Sequence, residues 1–598
     1  MMRNTKEGSS AARGLAMLTV AVLAMGLTAT GQEIEEKDVV GGLAFLDEVQ
    51  VTVVNIDVFV RDRDGNVVTG LTEEDFQLKQ DGQVRNLSHF AAYTQDVIAE
   101  IMRRREQAPS LTIPTPAPET PPTEPTPETE DDIATLAARI QPVHLVLYVD
   151  NENIRPFDRN RVLTQVRGFL RELMQPHVKV MVVSAERSVR IMQPFTENPK
   201  EVMDALRDLR TLSGARSNRD TQRGRLIHDI QAMEDQKASS GGSQQMGIQA
   251  ADLEGRIRTY GEEIVMELGY TTAAVREITT ALAGLPGRKV FVYISSGLPM
   301  VAARDLLTWY GDIFQNRSML PALARFDRSH LYDQLASTAN AQGVTFYMID
   351  ASGVSGTAGA SAEYSRPVDP MAANIYIINH QQPLQLMAER TGGRAVLDTN
   401  DVTGGLEELR DDLFTYYSLG YTISASGTDT VHRIKVELPN HPEYRLVYRK
   451  TYVEKSLSTT VQDTVVSGLM LDLDANPMGV AIEAGDVRPA ADNRWILPVE
   501  IRFPINSVAL LPEGDEFVGR VELFITNRDL KGRQADIQRR DFEIRMPPED
   551  YATRRHESYV AEFELLMEKG THKVVIGLLD PITRQSSYTS LTRAVPGR

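Results

Sequence analysis

His144-Leu-Val-Leu-Tyr-Val-Asp150, then Asn151-Glu152-Asn153-Ile154, then a helical pattern over about 155–174, is the stretch that decides the fold of this chain. An apolar run ending in a carboxylate, a polar loop and an amphipathic helix read as the first strand-loop-helix unit of an open parallel sheet. Ligands of such sheets sit beyond the carboxyl ends of the strands, which aims Asp150 at the binding edge. An Asp there, with oxygen-bearing neighbours, is able to anchor a hard divalent cation.

The pattern continues outward. Strands are predicted at 144–149, 179–184, 189–194, 289–295, 344–350 and 394–397, and helices near 155–174, 198–210, 261–284, 329–342, 383–391 and 403–413. Such alternation over 143–423 is the signature of a doubly wound, Rossmann-like α/β sheet. A polar insertion at 213–260, broken by Ser239-Ser-Gly-Gly-Ser243, reads as a protruding, partly mobile helical hairpin.

Both flanks are β-rich. Val51–Val60 alternates and is β-branched, Arg61–Asn66 is a turn, Thr72 and Asp75 cap a helical turn, and Asp81-Gly82 is a hairpin turn, so 46–94 reads as a small β-sandwich-like module. Segment 108–132 is crowded with Pro, Thr and Glu and reads as an extended linker. Residues 424–455 form a β extension in which Pro439-Asn-His-Pro442 turns one strand into the next. Short strands spaced by turns over 463–598 predict a C-terminal β-sandwich-like domain.

The 598 residues are enough for several domains, and 42% hydrophobic residues are enough for real cores. A net charge of -18 argues against nucleic acid as a partner. Arg3, Lys6 and Arg13 precede an apolar stretch at Leu15–Ala29, and Ala29-Thr30-Gly31 offers a cleavage site. Residues 1–31 therefore read as a signal peptide, with an uncleaved anchor as the alternative. No later stretch is apolar and long enough to span a membrane. With no Cys, disulfides, thiol chemistry and a lipid-modified Cys are excluded. The expected address is the periplasm or the outside of a bacterium.

The order of several short motifs carries a resemblance. Val54-Asn-Ile-Asp-Val-Phe-Val60, Gly70-Leu-Thr-Glu-Glu-Asp-Phe76, Tyr148-Val-Asp-Asn151, Leu285-Pro-Gly-Arg-Lys289, Ser296-Gly-Leu-Pro299 and Tyr417-Ser-Leu-Gly-Tyr421 follow one another as in the acidobacterial VWFA-related family, whose core resembles a von Willebrand factor A domain. The resemblance covers most of 46–450 and implies an exported domain of that class between β modules. It also implies a cation site built from three loops, completed by an acidic ligand. Carried over position by position, the first Asp is Asp150, Glu152 and Ile154 stand where two Ser hydroxyls are expected, Ser296 stands at the third-loop Asp, and Thr211 or Ser213 supplies the second-loop hydroxyl. Two readings follow. In one, Asp150, Glu152, Thr211 and Ser296 hold a weakly bound Mg²⁺ or Ca²⁺. In the other the site is vestigial, and Asp150 caps the following helix or binds amides around Asn153.

No signature of catalysis accompanies the fold. His144, His177 and His228 are scattered, and there is no His-Glu-x-x-His, phosphate loop or Gly-x-Ser-x-Gly nucleophile elbow, Gly353-Val-Ser-Gly356 lacking the closing spacing. Asp411-Asp412 reads as the solvated face of a charged helix. The loop 351–374, with Tyr364, Arg366 and nearby Tyr376, the 213–260 insertion and segment 312–328 could together frame a recognition surface. The expectation is a protein-binding or adhesion module with no enzymatic activity. The alternatives are a metal-dependent hydrolase using Asp150 and Glu152, and a structural envelope component.

Overall fold

The computed structural model describes residues 51–98 and 142–596, apart from 176, 215, 241–243, 316–318, 355–366, 425–426, 474 and 492–493. The signal peptide, the linker and Tyr364 and Arg366 lie outside the described residues. Strands β1 (Val51–Arg61), β2 (Gln77–Gln80), β3 (Gln83–Arg85) and β4 (His89–Tyr93) precede the α/β region. Asp81 and Gly82, between β2 and β3, both have positive φ (52° and 84°), as a two-residue hairpin of primed type requires.

The α/β region runs β5 (Val143–Asp150), α1 (Pro156–Leu173), β6 (Val178–Ala185), β7 (Val189–Thr196), α2 (Pro199–Leu209), α3 (Arg216–Ser240), α4 (Gln244–Ala281), β8 (Arg288–Ser295), α5 (Arg304–Phe314), α6 (Met319–Phe326), α7 (Ser329–Gln342), β9 (Val344–Asp350), α8 (Pro370–Thr391), β10 (Ala395–Val396) and α9 (Thr403–Phe414). Its sheet has the order β10-β9-β8-β5-β6-β7, parallel except for β7. Every residue of β5 is buried, which is why its sequence is a continuous apolar run rather than an alternation. Leu145, Leu147 and Val149 pack under α1, α2 and α9, whereas Val146 and Tyr148 pack under α3 to α8. The chain builds outward from β5 to β7 on one side and from β8 to β10 on the other. The strand order therefore reverses between β5 and β8, where Asp150 and Ser295 end their strands.

The structure corrects four expectations. First, the insertion does not protrude: α3 and α4, of 25 and 38 residues, bury Leu226, Ile227, Ile230, Leu253 and Ile257 in the same layer as Tyr148 and Phe291. Charged residues surround these apolar positions on the helices, and that masked their inward face. Second, Asp412 does not lie on a solvated face of its helix: it is buried on α9 and pairs with Arg61 and Arg394. Third, α8 begins at Pro370, not 383, and runs through Pro383. Pro383 lacks an amide proton, which frees the carbonyl of Asn379, and that carbonyl accepts from Met300 N at 2.8 Å. The apparent helix start is thus the device that docks the loop after β8 onto α8.

Fourth, the strand that was to close the α/β region at 423 belongs elsewhere. Strand β11 (Tyr416–Ser424) pairs antiparallel with β1 and β4. With β12 (Thr430–Glu437), β13 (Arg445–Tyr448) and β14 (Thr451–Glu454), it completes two sheets of order β13-β1-β11-β4 and β14-β12-β2-β3. The 46–94 module and the 424–455 extension are therefore one sandwich, and the α/β region is inserted between its halves. Pro439 to Pro442 carries the chain from one sheet to the other rather than folding a hairpin, since β12 pairs β2 and β14 while β13 pairs β1. A shared core of Val54, Ile56, Val58, Leu419, Tyr421 and Ile434 holds the sheets face to face. Beyond α10 (Leu457–Met470) the chain forms further antiparallel sheets around Leu497, Val499, Ile501, Leu523 and Ile576.

Two buried histidines at the amino end of this sheet give the fold an acid limit. His144 and His177 are 6% and 8% exposed, and burial pushes both imidazoles down to about 4, helped by Lys179 and Lys289 for His144 and by Arg288 for His177. A depressed imidazole stabilises the fold fully above its unfolded value near 6.5, and that contribution is lost as pH falls toward 4. Each should cost about 2 kcal/mol between pH 7.5 and pH 5. Denaturant titrations at the two pH values check this. His144→Phe, set against Phe195 at 5.2 Å between ring centroids, should flatten the pH dependence. An unchanged slope would show that the imidazole carries none of it.

Candidate functional site

The site lies at the strand-order reversal, above the carboxyl ends of β5, β8 and β9. Asp150 is 1% exposed, and both its oxygens are engaged. Oδ1 accepts from Asn153 N (3.1 Å), and Oδ2 accepts from Asn153 Nδ2 (2.8 Å) and from the Tyr293 hydroxyl. Burial raises its carboxyl above the usual range, against the opposing pull of Tyr293, Asn153 and the charge of Arg219. Burial likewise raises the carboxyl of Glu152, with Arg219 opposing it. Ser296 is buried, and its Oγ has no hydrogen-bond partner among the described residues. Thr211 is exposed, and its hydroxyl donates to the Asp208 carbonyl (2.7 Å) at the end of α2. The fold thus brings Asp150, Glu152 and Ser296 to one edge, while the Thr211 hydroxyl, in the adjoining second loop, is used on its own helix end.

Arginines fill this edge. Arg159, fully buried on α1, donates to Asn151 Oδ1 and to the carbonyls of Leu212 (2.7 Å) and Arg210 (3.2 Å), fastening the second loop to the first. Arg216 Nη1 donates to the carbonyls of Asn153 (3.0 Å) and Ser296 (3.1 Å), and its Nη2 to the Tyr376 hydroxyl (2.7 Å). Arg219 donates to Asn153 Oδ1 (2.7 Å), pairs with Glu267 (2.5 Å) and stands 3.8 Å from Glu152. Arg223 binds Asp305 through Nε (3.1 Å) and Nη2 (2.6 Å) and lies over the Tyr376 ring. The cavity lined by Arg216, Arg219, Arg223, Tyr260, Asp305 and Tyr376 measures about 20 Å³, room for roughly one water.

This donor set does not fit a hard divalent cation. Such an ion takes six or more oxygens, water among them, and needs at least one or two protein carboxylates turned toward it. Asp150 already accepts three hydrogen bonds from Asn153 and Tyr293, the hydroxyl positions carry Glu152 and Ile154, and Glu152 faces the Arg219 guanidinium. Among the described residues no three His, Asp or Glu side chains converge as metal ligands.

Several residues at this edge escaped sequence reasoning. Asp350 ends β9 and accepts from Ser352 N (2.9 Å) and Gln381 Nε2 (3.1 Å). Arg216, Arg219 and Arg223 follow helical spacing and mark one face of α3, a visible signal that reads equally well as a solvated stripe.

No family model and no curated protein matches the chain. Solved structures similar to part of it include an aerotolerance-related membrane protein from Bacteroides fragilis, at 10% identity over 45% of this chain and 98% of that one, with a TM-score of 0.21. BatB from Bacteroides thetaiotaomicron is similar at 9% identity over 45% and 97%, with a TM-score of 0.22. The vWF domain of the type V pili tip protein Mfa5 from Porphyromonas gingivalis is similar at 12% identity over 45% and 94%, also with a TM-score of 0.22.

Proposed function

We propose that the α/β region is a doubly wound, von Willebrand factor A-like core, and that the chain is an exported module that binds a protein partner at the carboxyl edge of this sheet. The observation that carries the reading is a closed, self-paired polar floor beneath exposed apolar side chains. Phe157, two residues into α1, is 77% exposed, and Met371, at the start of α8, is 60% exposed. Val354, beyond β9, is also exposed, and Arg161 of α1 donates to the Ala351 carbonyl, so these segments adjoin. Exposed large apolar side chains at the ends of these elements favour a macromolecular contact. A hydrolase using Asp150 and Glu152 is disfavoured by the burial of both carboxylates.

Among the described residues no helix is long and apolar enough to cross a membrane. Export rests on the charged and apolar stretch at the N-terminus. A photo-crosslinker placed at Phe157 should capture a discrete partner in the native envelope fraction, and Val354→Ser with Met371→Ser should abolish that capture. The same adduct from the doubly substituted chain would sink the reading, as would turnover in a peptidase, esterase and glycosidase screen that Asp150→Ala removes.

A further inference from the structure

The three loops that the resemblance expects to share a divalent cation are joined here by side chains that bring their own charge. Arg216 reaches the first loop at the Asn153 carbonyl and the third at the Ser296 carbonyl with a single Nη1. Arg219, three residues on, holds Asn153 Oδ1 and is flanked by Glu267 and Glu152. Both arginines begin α3, which continues directly from the second loop. A guanidinium is suited to this place. It presents five donors in a fixed plane, stays protonated at any physiological pH, and is tethered, so its occupancy involves no binding equilibrium.

We infer that Arg216 and Arg219 perform the structural work of the missing cation: they lock the first and third loops to the start of α3 and set positive charge against Glu152 and Glu267, so the edge is organised without metal. Arg219 is only slightly exposed, with 14% of its side chain accessible, and Glu152 retains 8%, so neither charge is left to solvent. Removing the arginine strands Glu152 in a poorly solvated place and leaves the part-exposed Glu267 without this partner, whereas removing both sides together leaves no charge to compensate. A divalent ion entering the same edge would meet two guanidiniums and, at Asp150, oxygens that already accept from Asn153 and Tyr293. That any partner contact at this face is independent of divalent cations rests on the function proposed above; the charge replacement does not.

The test uses the full chain, stripped of metal. Titration of Mg²⁺ and of Ca²⁺ should give no saturable heat, and the melting temperature should be the same in EDTA and in millimolar Ca²⁺. Arg219→Met should lower the melting temperature by several degrees, and adding Glu152→Gln and Glu267→Gln to that chain should restore most of the loss. If Arg219→Met does not fold, recovery of a folded chain in the triple variant is the same result. Saturable binding by the wild type that Asp150→Ala abolishes would overturn the inference. So would a triple variant no more stable than Arg219→Met, or an Arg219→Met chain as stable as the wild type. None of these readouts involves a partner, so a failed crosslink at Phe157 leaves them standing.

Discussion

Asp412→Ala is expected to destabilise the chain by about 3–5 kcal/mol, the usual cost of removing one partner from a buried ion pair. Asp412 lies on α9 with 2% of its side chain exposed. It accepts from Arg61 Nη2 (2.8 Å), Arg394 Nε (2.8 Å) and the Tyr347 hydroxyl (3.1 Å). Arg61 belongs to the sandwich, and Arg394 and Tyr347 to the α/β region, so one carboxylate fastens the two together. Arg288 reinforces the same junction through Asp57 (3.0 Å) and the Tyr416 ring. Removing the carboxylate leaves Arg61, 6% exposed, as an uncompensated buried cation. Asp411→Ala on the same helix is the control: its side chain is 38% exposed, and its loss should cost less than about 1 kcal/mol. Urea titrations of both variants make the comparison, and equal effects would contradict the junction.

Arg223→Met should cost a similar amount, about 3–5 kcal/mol, because Asp305 is left charged and buried on α5. The side chains of the pair are 8% and 5% exposed. The effect should be local as well as global. Hydrogen exchange in α3 should speed up more than in β5, since the pair fixes α3 to the layer that carries Arg216 and Arg219. Combining Arg223→Met with Asp305→Leu should recover most of the loss, because apolar replacement of a whole buried pair is commonly neutral or better. A double variant as unstable as Arg223→Met would mean that the charge left on Asp305 is not the cause.

The central strands were legible because burial on both faces writes itself locally. The runs at 144–150 and 289–295 have no polar interruption within the sheet, and no amphipathic element of that length imitates them. What stayed hidden depends on partners distant in sequence. Asp412 looks like any acid on a charged helix until Arg61, 351 residues away, meets it. Pro383 looks like a helix start because proline favours that position, and only the Met300 amide shows what its missing proton releases. The union of 51–93 with 416–454 could not be read from either piece, since each supplies two strands to each sheet. At the edge itself, Asp150 was found from its place at the end of β5. The arginines that answer it were passed over, because a basic stripe on a helix has the same local pattern whether it faces water or carboxylates.

The most direct measurement is a crystal structure of the full chain grown with excess Ca²⁺. The expected map shows Arg216 Nη1 bonded to the Asn153 and Ser296 carbonyls, Arg219 between Glu152 and Glu267, and no ion beside Asp150. Density for Ca²⁺ within about 2.3–2.6 Å of an Asp150 oxygen, with Asn153 or Arg219 displaced, would contradict the account.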